Sequence, residues 1–318
     1  MLTTRLTELL GVRYPMLQGG MAWVAESTLA AAVSNAGGVG LIAGGSAPID
    51  YLREQIRRAK SLTDKPFGVN IMLMSPNAAE LAQLVIEEKV PIVTTGAGNP
   101  GKFIPAWKEA GIKVIPVVPS VALAKRMERA GADALVVEGC EAGGHIGEIT
   151  TMCLVPQVVD AVNIPVIAAG GIADGRTLAA VILLGASGVQ VGTRFLVADE
   201  CQVHENYKKL VLEAKDTDSA VTGRLTGHPV RSVKNRLTKR LATFEKEGGT
   251  PEEFEQISVG SLRKAVVDGD IEEGSFMAGQ IAGMVCKAQP AAEIIEEMFA
   301  QAESLLAGKT TTRGVSIG

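Results

Sequence analysis

The sequence predicts an α/β chain folded as a (β/α)8 barrel, with a small helical cap inserted near the C-terminus. Three observations carry this expectation. Short aliphatic runs alternate with Ala- and Leu-rich helical stretches eight times in roughly the first 200 residues, the pattern of a parallel sheet. The composition is 47% hydrophobic but only 4% aromatic, so the core is Val, Ile, Leu and Ala, as in strands buried on both faces. Eight is also the number of units that closes a barrel. An open doubly wound sheet is the competing architecture, weakened because no GxGxxG opens a helix after the first strand.

Tyr14 to Gln18 reads as the first strand, followed by a Gly19-Gly20-Met21-Ala22-Trp23 loop. Ser27 is expected to cap an Ala-rich helix that stops at Gly37-Gly38. Val39 to Ala43 is the second strand, the Gly44-Gly45-Ser46 loop follows, and a helix runs from Ile49 to Ser61. The third strand, Phe67 to Leu73, carries Asn70 inside an otherwise apolar run. Ile92 to Thr95, Val114 to Val118 and Ala134 to Val137 are the next three, and Gly111 and Gly131 stand at helix C-caps between them. The sixth strand opens into Glu138-Gly139-Cys140-Glu141-Ala142-Gly143-Gly144-His145. Pro165 to Ala169 and Gly188 to Val191 are the seventh and eighth strands, joined by a helix from Gly175 to Leu184.

Beyond Val203 the alternation stops. Asn206 to Lys215 reads as a helix, and Arg224 to Arg240 holds six Lys or Arg residues and no Asp or Glu. The segment has too few large apolar residues to build a core alone. Residues 1–202 and 276–318 are therefore expected to form the barrel, and 203–275 a small cap or lid on it. Ala291 to Leu306 is an amphipathic helix, and the last dozen residues are expected to fray.

The net charge of −4, with no acidic or basic tail, gives no support for a nucleic-acid partner. No apolar stretch is long enough to cross a membrane, and the N-terminal residues lack a signal-peptide core. Four cysteines without CxxC spacing read as free thiols of a cytoplasmic protein. No HExxH motif, Cys/His cluster, GxSxG elbow or P-loop is present.

Candidate chemistry gathers at the strand ends. Gly170-Gly171 and Gly192-Thr193 follow the seventh and eighth strands, where a barrel commonly seats a cofactor phosphate on backbone N–H groups. Two ordinary βα turns would look the same. His145, after two glycines, has the side chain that exchanges protons near neutral pH, though a surface histidine without a role fits its position equally. Asn70 and Glu138 are polar groups at otherwise aliphatic strand ends and need partners. A heterocycle bearing imide N–H and carbonyl groups would satisfy both; so would neighbouring backbone. The Gln18 to Met21 turn can lay bare backbone against a flat ligand, with Met21 as an adaptable apolar surface.

Gln18-Gly19-Gly20-Met21, KPFGVNIML from Lys65, Glu141-Ala142-Gly143-Gly144-His145, Ala169-Gly170-Gly171-Ile172 and Gln190-Val191-Gly192-Thr193-Arg194-Phe195 resemble the flavin-dependent barrel superfamily of the nitronate monooxygenases (2-nitropropane dioxygenases). Within it, TTGAGNPGKF, GHPVRSVKNRLT and GSFMAGQIAGMV most resemble the bacterial FMN-dependent enoyl-acyl-carrier-protein reductase II group, FabK. The resemblance runs from Arg5 to about Phe299. It implies FMN with its phosphate at Gly170, Gly171, Gly192 and Thr193. Gly20, Met21, Asn70, Glu138, Gly143, Gln190 and Val191 would lie around the flavin. Some relatives carry Gln in place of Glu138. His145 matches the family's catalytic histidine, and as imidazolium it would stabilise an enolate or protonate Cα. NADH or NADPH would be the reductant, and an enoyl thioester on acyl carrier protein the substrate, in fatty acid elongation. Relatives are commonly homodimers and often need a monovalent cation, for which this sequence shows no signature. The basic segment in the cap, without local carboxylates, is either a solvated helix face or a site that steers an acidic carrier protein or binds NADPH phosphate. The alternative activity is that of a nitronate monooxygenase with His145 as base; a third is a flavin-binding protein without turnover.

Overall fold

A computed structural model describes residues 2–45 and 47–308. Eight parallel strands form the sheet: β1 (Met16–Gln18), β2 (Gly40–Ala43), β3 (Phe67–Met72), β4 (Ile92–Gly96), β5 (Lys113–Val118), β6 (Leu135–Glu138), β8 (Val166–Ala169) and β9 (Gly188–Val191). The intervening β7 (Gly144–His145) belongs to a second sheet. β1 pairs with β9 on one side. On the other, a parallel bridge between Leu17 and Val39 brings it against β2 and closes the ring. Gln18 completes that seam: its side-chain oxygen accepts from the Leu41 N–H at 3.1 Å, and its amide donates to the Gly19 carbonyl. The (β/α)8 barrel expected from the alternation is the observed fold.

The helices lie outside the barrel in chain order. They are α2 (Ser27–Asn35), α3 (Ile49–Leu62), α4 (Ala78–Glu87), α5 (Ile104–Glu109), α6 (Val121–Arg129), α7 (Thr151–Val159), α8 (Gly175–Leu183) and, after the cap, α13 (Ala291–Leu306). Gly131 and Gly185, at φ +98° and +97°, turn the chain out of α6 and α8 in the left-handed region that favours glycine. Ser27 does not cap α2. Glu26 does, because its carboxylate reaches two free N–H groups, those of Thr28 and Leu29, both at 2.9 Å. Ser27 is instead the buried first residue of the helix.

The sequence pattern also understates the N-terminus. Arg5–Leu10 forms α1, opened by Thr4 and closed by Gly11. Leu6 and Leu10 join Leu17, Leu41, Ile92, Ile115, Val136 and Ile167 in the cluster inside the barrel. There is no room for a Cβ at Gly188, which would lie 2.4 Å from the Leu6 side chain. The helix thus plugs the barrel at the N-terminal ends of the strands, leaving their C-terminal ends for a site.

Residues 203–275 hold the helices α9 (Glu205–Glu213), α10 (Arg236–Lys246), α11 (Pro251–Ser258) and α12 (Ser261–Arg263). They also hold a hairpin that helical periodicity does not announce, β10 (Ser219–Thr222) and β11 (Val230–Val233). β11 pairs with β7, so the cap is hydrogen-bonded to the loop that ends at His145. A small cluster of Leu237, Leu241 and Phe254 is its own core. Ser46 and residues 309–318, where fraying was expected, lie outside the described residues.

Candidate active site

A cavity of about 270 Å³ opens at the C-terminal ends of the strands. The candidate catalytic and cofactor-binding residues line it, Gly20, Met21, Asn70, Glu138, Gly143, His145, Gly170, Gly171, Gln190, Val191, Gly192 and Thr193, whereas Gln18 and the basic segment do not. They come from loops or strand ends of β1, β3, β6, β8 and β9, which closure of the barrel brings to one point.

The double-glycine turns make one wall. Gly170 and Gly171 have φ of +87° and +75°, where a side chain would be strained. A Cβ at Gly170 would meet the Gly139 carbonyl at 2.8 Å. Beside it, after the adjacent strand β9, the Thr193 hydroxyl accepts the Gly279 N–H at 2.8 Å, so its own proton is left to donate into the cavity. Small residues, exposed backbone and a hydroxyl donor form a lining suited to a phosphate.

The polar side chains of the floor divide into held and unheld groups. Asn70 is held: it accepts from the Thr94 hydroxyl at 2.8 Å and donates to the Gly20 carbonyl at 3.3 Å. Gly20 must be glycine, because a Cβ there would sit 2.2 Å from that of Asn70. Glu138 and Gln190 face the cavity with no side-chain hydrogen bond among the described residues. Burial alone pushes the Glu138 carboxyl up to about 7. An unpaired carboxyl and an unpaired amide beside exposed backbone N–H groups leave donors and acceptors free for a polar ligand.

The sign of the Glu138 effect can be measured. Its folded value of about 7 lies above the ordinary 4.5, so the fold favours the protonated form. Stability of the flavin-free protein should fall as pH rises from about 4.5 to about 7 and level off above, by at most about 3 kcal/mol. Glu138→Gln should flatten that slope. Urea midpoints at acidic and alkaline ends of the window check it, and an unchanged slope would remove Glu138 as its source.

His145 sits on β7, whose Gly144 and His145 pair with Arg231 and Val230 of β11. Desolvation by the cavity walls, then the charge of His228, lowers its imidazole from the ordinary value, although the residue keeps an exposed edge. The shift disfavours the imidazolium that the resemblance implies.

Several residues of the wall were not among the candidate site residues named from the sequence. Met277, Gly279 and Ile281 enter from the small-residue run after the cap, and Leu262 from α12. Tyr207 of α9 is fully enclosed, its hydroxyl raised by burial and donating to the Met277 carbonyl at 2.7 Å. Glu141 accepts from the Thr151 N–H and hydroxyl at 2.9 Å, which ties the loop after β6 to the start of α7. The Thr151 hydroxyl also reaches the Gly170 carbonyl at 3.0 Å.

The basic segment differs from expectation. It is not one solvated helix face, and its charges have carboxylates nearby in space: Arg224 pairs with Glu148 at 2.6 Å, Arg236 with Glu272 at 3.2 Å and Arg240 with Glu273 at 3.3 Å. Arg231 is buried in β11. The partners lie outside the 224–240 window, which is why the sequence run looked unbalanced.

The nitronate monooxygenase family model matches residues 3–84 and 81–301. The chain belongs to the nitronate monooxygenase family. The relatives it matches are flavin-dependent oxidoreductases, and the chain is one of them. FabK from Thermotoga maritima superposes with a TM-score of 0.94 at 51% identity, covering 96% of this chain and 98% of that one. A probable nitronate monooxygenase of Staphylococcus saprophyticus is 36% identical, over 96% of this chain and 99% of its own length. The Mycobacterium tuberculosis (3aS,4S,5R,7aS)-5-hydroxy-7a-methyl-1-oxo-octahydro-1H-indene-4-carboxyl-CoA dehydrogenase is 35% identical, over 95% of this chain and 96% of its own. No group of residues suited to a metal ion and no membrane-crossing helix occurs among the described residues of this family member.

Proposed function

We propose that the chain is an FMN-dependent, NAD(P)H-using enoyl-acyl-carrier-protein reductase. The observation that carries this reading is the 51% identity to FabK across 96% of the chain, against 36% to the nitronate monooxygenase relative. A further relative named for a carboxyl-CoA substrate fits a thioester site as well.

When bound, FMN would supply two-electron chemistry between a nicotinamide and the β-carbon of an enoyl thioester. The backbone of Gly170, Gly171 and Gly192 and the hydroxyl of Thr193 would hold its phosphate. Asn70, kept in one orientation by Thr94, and the unpaired Glu138 and Gln190 would bind the rest of it. Near a pKa of 7, Glu138 can accept a hydrogen bond as carboxylate or donate one as acid. His145 lines the same cavity and serves the acyl α-carbon: negative charge developing on the thioester raises its affinity for a proton, which the ring takes up from solvent and delivers to Cα, returning to the neutral form. Met21, Met277 and Ile281 supply apolar wall for the chain.

An acidic carrier protein remains the proposed bearer of the substrate, delivered without a strongly basic rim because three of the cap arginines are ion-paired. In steady state, NAD(P)H consumption with crotonyl thioester should continue without oxygen and yield the saturated product. A protein that instead consumed oxygen with a nitroalkane, and left the thioester untouched, would be a nitronate monooxygenase.

A further inference from the structure

Arg231 is 8% exposed, yet it makes no ion pair among the described residues. All three of its nitrogens go to neutral acceptors. Nε and Nη2 donate to the Cys140 carbonyl at 3.2 and 2.9 Å, and Nη1 to the Ser219 hydroxyl at 2.6 Å. Burying a guanidinium without a carboxylate is unfavourable, and an apolar side chain would fill the space more cheaply. What an apolar residue could not supply is the geometry.

The backbone of Arg231 pairs with Gly144, while its guanidinium reaches back to Cys140. One residue therefore spans the whole turn from Cys140 to Gly144. His145 is the next residue, and its own pairing partner is Val230, beside Arg231. Gly144, at φ +74°, takes the left-handed conformation that glycine favours, and while Glu141 ties the turn to Thr151, Arg231 is what ties both its ends to the cap hairpin. Ser219, on β10, locks the guanidinium plane from the other side.

We propose that Arg231 is a positioning residue that fixes the His145 side chain in the cavity by clamping the 140–144 turn to the cap hairpin. The inference rests on the role given to His145 above. It also explains why the hairpin is there, since through Arg231 the cap orders the loop that carries the proton-transfer group.

Arg231→Gln removes the fork while keeping a polar side chain. It should retain FMN and reduction by NAD(P)H, because the phosphate cradle lies on other loops, and slow the thioester half-reaction by about 10–100-fold, the range for a misplaced group. In the double variant with His145→Ala it should add no further loss. On the holoprotein, diethyl pyrocarbonate should acylate His145 faster in Arg231→Gln than in wild type, with His204 unchanged, as read by peptide mass spectrometry. Arg231→Lys keeps the charge and one donor, should fall between, and serves if the glutamine variant does not fold.

Losses that multiply with His145→Ala, or that strike both half-reactions equally, overturn the inference. A full-speed Arg231→Gln beside a slow His145→Ala overturns it alone. A full-speed His145→Ala overturns the underlying role of His145, and the acylation rates then decide whether Arg231 holds the side chain.

Discussion

Replacing His145 by alanine is expected to leave FMN bound and to slow transfer to the enoyl thioester by about 10²–10⁴-fold, the range for a lost proton donor. The size follows from the site. Among the described residues the other titratable side chains lining the cavity are Glu138, Glu141 and Tyr207; Glu141 is committed to Thr151 and the Tyr207 hydroxyl to the Met277 carbonyl. Hydride uptake from NAD(P)H needs no proton from the imidazole, so that half-reaction should change little. Stopped-flow measurement of the two halves separates them. Equal losses in both would make His145 a structural or nucleotide-binding residue. Because the proposed step uses the protonated ring, the thioester half-reaction should also weaken as pH rises, and the part of this dependence due to the imidazole should vanish in His145→Ala.

Replacing Gly171 by valine should give protein purified without yellow colour. At φ +75° a β-branched residue costs strain of about 1–3 kcal/mol. The protein itself has space there, since a Cβ would come no closer than 3.7 Å to Glu141. The added methyls would therefore occupy the cavity rather than disrupt the core, and the fold should survive. FMN content per chain and the thermal midpoint test the two halves of this expectation. A folded variant with one FMN per chain would move the phosphate elsewhere.

The barrel and its mouth were legible because both follow from short-range pattern. Aliphatic runs ending in Gly170-Gly171 or Gly192-Thr193 locate strand ends, and closure of eight strands brings those ends together without further information. Residues that act across the chain left no such trace. Thr94 looks like an ordinary strand threonine until β4 lies beside β3 and its hydroxyl meets Asn70. Arg231 looks like one of a solvated basic run until β11 buries it against Cys140. The α1 plug was hidden by its shortness, although Thr4 and Gly11 mark both of its ends. Pairing of cap strands with a two-residue β7 is set by tertiary contact, which periodicity does not encode.

The most direct measurement is a single turnover. The protein, reduced anaerobically with NAD(P)H and freed of excess nucleotide, is mixed with crotonyl thioester while the flavin's visible absorbance is followed. The account predicts prompt return of the oxidised spectrum without oxygen, with one butyryl thioester formed per flavin. A spectrum that stays reduced until oxygen is admitted, with the thioester recovered unchanged, would contradict it.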